Sequence, residues 1–155
     1  MNLYLVHHAE AVPEERDPAR PLTERGWAQA RSVARQAVTR AGARPLRIVH
    51  SEKLRAAQTA QAWREVLPEV EVTADARLNP SADPGSLVPA LAEEGHDLAL
   101  VGHQPFLNRL AALLLCEDAG RPVLALPAAG VACLERGPHG EWTVRWAIGP
   151  DLPGS

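Results

Sequence analysis

Short apolar runs alternate along this chain with longer segments of helical spacing, and that alternation restricts it to very few folds. Residues 2–7, 46–50 and 97–101 have the length and content of buried strands, and Val70 and Val72 mark a smaller one. Between the first two runs, Trp27, Ala30, Ala34, Ala37, Val38 and Ala41 recur at helical spacing. Thr23 can cap that helix, Glu24 suits its dipole and Gly42 can end it. Gly26, inside its first turn, lowers helix propensity and points to a close backbone approach.

After the second run, Ser51 can cap a helix whose apolar face is Ala56, Ala60, Trp63 and Leu67, with Pro68 as its stop. A polar loop over 79–84 leads to a helix near 85–94. Pro105 suits the first position of another helix, with Phe106, Leu107, Leu110, Leu113 and Leu114 as its apolar face. Residues 130–135 and 142–148 read as two strands around a Pro-His-Gly turn, with Trp142 and Trp146 on one face. The order predicts a three-layer α/β/α sandwich with a mostly parallel central sheet and an antiparallel pair added at the end.

A chain of 155 residues, 46% of them hydrophobic, supports one domain over 1–155, with 149–155 expected as a loose tail. The net charge of -3 argues against nucleic acid as a partner. No run has membrane-spanning length and no basic leader precedes an apolar stretch, so the expected location is cytoplasmic and off the membrane. Cys116 and Cys133 lack any metal-type spacing and read as buried free thiols.

Ligands of open α/β sheets bind outside the carboxyl ends of the strands. The first strand ends in His7-His8, the second in His50-Ser51 with Arg55 one turn into the next helix, and the fourth in Gly102-His103. Successive strand side chains point to opposite faces, so His7 and His8 are not expected to converge on one metal or one proton. Any one of these histidines alone would read as an ordinary loop residue. Together with an arginine and helix N-termini they make an anion pocket, most naturally for phosphate. Zinc is the weaker reading, because no HxH or HExxH pattern occurs.

Four stretches then match one family. LVHHAEA resembles the LxRHGxA opening of the histidine phosphatase superfamily, PLTERGWAQA its LTxxGxxQA element, HSEKLRAAQTA its SPxxRAxQTA element and VGHQP its GHxP element. They occur in the family's order, and the short length, RPLTERG and Leu78 to Pro80 resemble the SixA-type phosphohistidine phosphatases.

The resemblance implies a phosphoglycerate mutase-like fold, His8 as nucleophile, Arg55 as phosphate clamp and His103 as a stabiliser of the phosphoryl group, with no metal and no cofactor. His7, Arg20 and Ser51 are candidate substrate-binding residues. It implies a phosphohistidine-bearing protein of the histidine-phosphotransfer or phosphorelay type as substrate. Two other readings stand beside it: a phosphomonoesterase for a small phosphorylated substrate, and a non-catalytic phosphate or phosphohistidine binder.

Two departures from the family pattern matter. His7 stands where the family has arginine, and Ala9 where it has glycine. Histidine lacks the permanent charge and the bidentate fork of arginine, so weaker phosphate affinity, improving toward mildly acidic pH, is expected. Ala9 is tolerable unless its backbone needs a positive φ. The ester-cleaving branches resemble one another in carrying an acid where this chain has Asn79 and Pro80. Asp83 is a possible substitute, although an Asp before Pro suits a turn better.

Overall fold

The structure, a computed structural model, describes residues 1–150. Of the tail expected at 149–155, residues 151–155 lie outside the described residues. Strand β1 (Asn2–His7) shows the sheet's logic in one segment: Leu3 and Leu5 enter one core, Tyr4 and Val6 the other. A strand buried on both faces needs the continuous apolar run the sequence has there.

The other strands are β2 (Arg47–His50), β3 (Glu71–Ala74), β4 (Leu98–Gly102), β5 (Val131–Arg136) and β6 (Trp142–Ile148). They form one six-stranded sheet in the order β3-β2-β4-β1-β5-β6. The β1–β4, β2–β4 and β2–β3 pairs are parallel, and β5 and β6 are added antiparallel.

Helices α1 (Glu24–Thr39) and α2 (Leu54–Val66) cover the face of Tyr4 and Val6, with Val33, Ala60 and Trp63 buried against it. The opposite face, that of Leu3 and Leu5, is covered by α3 (Val88–Glu93) and α4 (Phe106–Cys116) through Leu91, Phe106, Leu107 and Leu110. This is the predicted three-layer α/β/α sandwich with a mostly parallel sheet. No helix among the described residues is long and apolar enough to cross a membrane.

Thr23 caps α1 as predicted, its Oγ1 accepting from the Gly26 N–H at 2.9 Å. The close approach at Gly26 is to the Glu10 carbonyl, which a Cβ there would overlap. Gly42 follows the helix at φ +71°. Asp83 behaves as a turn residue, accepting from the Gly85 N–H at 2.9 Å.

Several expectations need correction. Ser51 does not cap α2: that helix starts after Lys53 with no side-chain cap, and the Ser51 hydroxyl is engaged elsewhere. The helix near 85–94 divides into a 3-10 turn, Pro84–Leu87, and α3. Pro105 sits just before α4 instead of at its first position. Cys133 is buried, but Cys116 is exposed because the last turn of α4 turns its side away from the core. Trp142 and Trp146 pack against opposite cores. The register shifts so that Cys133 pairs with Trp146 but Leu134 with Val144, leaving Arg145 as a bulge that reverses the faces beyond it.

Candidate active site

The carboxyl ends of β1, β2 and β4 lie side by side, with His7 opposite Gly102 and His50 opposite Val101. Backbone hydrogen bonds extend the alignment one residue past the strands, from His8 N to Gly102 O at 3.0 Å and from Ser51 N to Val101 O at 3.1 Å. This places His8, Ser51 and His103 along one edge of the sheet. The His8 and His103 rings are 5.1 Å apart, centroid to centroid.

His8 lies just beyond the end of β1, so strict alternation no longer governs it. Its ring meets that of His7 edge-on, with centroids 4.7 Å apart. The two rings still do not share a proton. His7 Nδ1 faces the Leu126 carbonyl at 3.0 Å, and His8 Nδ1 faces the Ala9 carbonyl at 2.8 Å. A carbonyl only accepts, so each Nδ1 carries the proton and each Nε2 keeps its lone pair when the ring is neutral.

Burial, opposed only in part by the Ala9 carbonyl, pushes the His8 imidazole down to about 4, and the positive groups of His7, Arg55 and Arg20 add to the shift. His103, only 3% exposed, is pushed down to about 3, chiefly by burial and then by His8 and Arg55. Burial also lowers His7. The His8 and His103 rings are therefore neutral at neutral pH.

Two arginines supply the charge. Arg55 stands in the first turn of α2, and its Nε is buried with no hydrogen-bond partner. Arg20 adopts φ 48°, and its Nε donates to the Val12 carbonyl at 3.1 Å. The Arg20 charge acts on both Arg55 and His8. Neither arginine forms an ion pair among the described residues. Two guanidinium groups kept near each other without a carboxylate are an arrangement that an anion would relieve.

Ser51 is fully buried, and its Oγ is 2.6 Å from His103 Nε2. His50, at the same strand end, turns its Nδ1 to the Ser51 carbonyl at 2.7 Å. Ala9 has no positive φ, so the absence of glycine there strains nothing. No group of His, Cys, Asp or Glu side chains among the described residues could hold a metal ion.

Two residues of the site's frame received no role from the sequence. Thr59 Oγ1 accepts from the Ala9 N–H at 2.9 Å, and Gln58 Oε1 accepts from the Leu22 N–H at 2.7 Å. They pin the segments that follow His8 and Arg20 to α2. The available signal was a pair of polar residues in a helix face otherwise built of alanine and tryptophan.

Comparison with known proteins identifies the fold as phosphoglycerate mutase-like. The SixA protein histidine phosphatase, solved with tungstate, superposes with a TM-score of 0.83 at 25% identity, over 97% of each chain. A SixA protein of Agrobacterium tumefaciens gives 0.77 at 27% identity, over 96% of this chain and 97% of that one. A mycobacterial glucosyl-3-phosphoglycerate phosphatase shares the fold at 0.72 and 19% identity, over 93% of this chain and 96% of its own. A search of curated protein sequences gives no match. The profile of the histidine phosphatase superfamily (branch 1) matches residues 3–80, half of the chain. The chain belongs to the histidine phosphatase superfamily, and it is a phosphatase.

Proposed function

We propose that the protein removes the phosphoryl group from a protein phosphohistidine through a covalent intermediate on His8. The observation that carries this reading is the placement of His8: Nδ1 faces the Ala9 carbonyl at 2.8 Å and so holds the proton, which leaves the Nε2 lone pair free in a ring that burial keeps neutral. The Nε2 lone pair attacks phosphorus in line. The P–N bond of the substrate breaks, and its electron pair returns to the departing imidazole. Water then attacks the phosphoryl group on His8, releasing phosphate and restoring the Nε2 lone pair. Arg55 offers its fork to the equatorial oxygens, with Arg20 as the second guanidinium and His103 as a neutral hydrogen-bonding partner.

The P–N substrate fits what surrounds the site. An alkyl ester expels an alkoxide and needs a general acid. Asn79 has no proton of that kind, and its amide is committed to Glu52, accepting from its N–H and donating to its carboxylate, both at 2.9 Å. Asp83 is committed to its turn. A phosphohistidine protonated on its second ring nitrogen leaves as neutral imidazole and needs no such group. The resemblance to SixA proteins supports a phosphohistidine-bearing protein as the partner.

One observation bears on how tightly phosphate is held: His7, a half-buried ring whose protonation burial disfavours, occupies the family's arginine position. The deciding experiment is dephosphorylation of a phosphohistidine-bearing protein, with an aryl phosphate in parallel, by wild type and His8→Ala. Turnover by wild type and its loss in His8→Ala are expected. Oxyanion binding with no release of phosphate from the phosphohistidine-bearing protein would overturn this reading.

A further inference from the structure

A buried serine hydroxyl and a buried imidazole face each other in this site at 2.6 Å, Ser51 Oγ to His103 Nε2. A hydroxyl holds one proton and two lone pairs. The Ser51 Oγ already accepts from the Lys53 N–H at 3.3 Å, and it makes no third contact among the described residues. Its proton therefore has one acceptor in reach, Nε2. The reverse arrangement, with Nε2–H donating, would leave the hydroxyl proton of a fully buried serine without a partner. It would also leave a bare lone pair on His103 Nδ1 beside a site built for an anion.

His103 Nδ1 is itself buried and unpartnered. In the first arrangement that atom carries the proton, and it belongs to the ring next to His8. We propose that Ser51 is a positioning residue: its hydroxyl donates to His103 Nε2, holds the ring in the Nδ1–H tautomer, and so makes Nδ1–H the donor that meets a phosphoryl oxygen. Ser51 then never touches the substrate, although the sequence suggested that it would. The assignment rests on the reading of His103 as a group that faces the phosphoryl.

Long-range ¹H–¹⁵N correlation of uniformly labelled protein at about pH 7 reads the tautomer of each neutral histidine directly. The His103 signals are identified by their disappearance in His103→Gln. Wild type is expected to show His103 protonated on Nδ1, with Nε2 unprotonated, and orthovanadate is expected to shift the Nδ1 signals. Ser51→Ala should move His103 toward the Nε2–H tautomer and lower kcat on an aryl phosphate about 10- to 100-fold, with a smaller change in KM. Nε2–H in wild type, or Nδ1 signals indifferent to vanadate, would overturn the assignment even if Ser51→Ala did not fold. The spectrum decides the tautomer whether or not His8 carries phosphate, so failure of the nucleophile reading remains separate.

Discussion

The Thr59 hydroxyl sits between two backbone groups, accepting the Ala9 N–H at 2.9 Å and donating to the Arg55 carbonyl at 2.7 Å. One fully buried side chain thus ties the residue after His8 to the helical turn that carries Arg55. The spacing of the proposed nucleophile and phosphate clamp is set by α2 as well as by the sheet.

Thr59→Val keeps the side-chain shape but leaves the Ala9 N–H buried and unpaired. A loss of about 1–3 kcal/mol in stability is expected, read from urea denaturation. Aryl phosphate turnover should fall with it, because the His8 segment is no longer held to α2. An unchanged denaturation midpoint would show that the bond contributes nothing.

Gly26→Ala separates helix propensity from packing. On propensity alone the change would gain up to about 1 kcal/mol. The new methyl, however, would overlap the Glu10 carbonyl, two residues after His8. Net destabilisation of about 1–3 kcal/mol is expected by thermal or urea denaturation. A more stable variant would mean the approach is looser than described.

Acid should weaken the fold through its histidines. The imidazoles of His8 and His103 are held at about 4 and about 3, below the ordinary 6.5, chiefly by burial. Between those values the unfolded chain binds more protons than the folded one. The stability contribution of neutral burial is therefore complete above about pH 6.5 and is lost as pH falls toward 4 and then 3. Urea midpoints measured from about pH 7 to pH 4 should fall for wild type and fall less steeply for His8→Ala. Parallel curves would contradict the depressed His8.

His7→Arg tests the missing guanidinium. Burial lowers His7, so its cation becomes available only under more acid conditions than an exposed histidine would need, unless a phosphate dianion draws the proton in. The variant should bind phosphate or vanadate about tenfold more tightly near neutral pH, with less dependence on pH, by competition against aryl phosphate hydrolysis. Equal affinity would show that a guanidinium at this position adds nothing to the clamp made by Arg55 and Arg20.

The layers and the sheet edge that carries the site were legible because they follow from local rules. Apolar runs, caps and strand ends are written in neighbouring residues, as at Leu3–Val6, Thr23 and His103. What was not legible depends on partners distant in sequence. Ser51 looks like a helix cap until β2 and β4 lie side by side and bring His103, 52 positions away, against its hydroxyl. Trp142 and Trp146 share a face by period, and one bulged residue, invisible in the alternation, separates them. Cys116 was misplaced because an apolar neighbourhood in sequence says nothing about which side the last turn of α4 presents.

The bulge at Arg145 has a consequence beyond its tryptophans. It lies in β6, an outermost strand of the sheet, whose free side would otherwise present a regular row of N–H and C=O groups. A second extended chain needs such a row in register to add itself. Arg145 breaks the row, while its side chain turns inward across β5, paired with Glu135 at 3.6 Å and reaching Asn2 Oδ1 at 3.5 Å. The bulge interrupts the register that such an addition needs, and a straightened β6 would offer it unbroken.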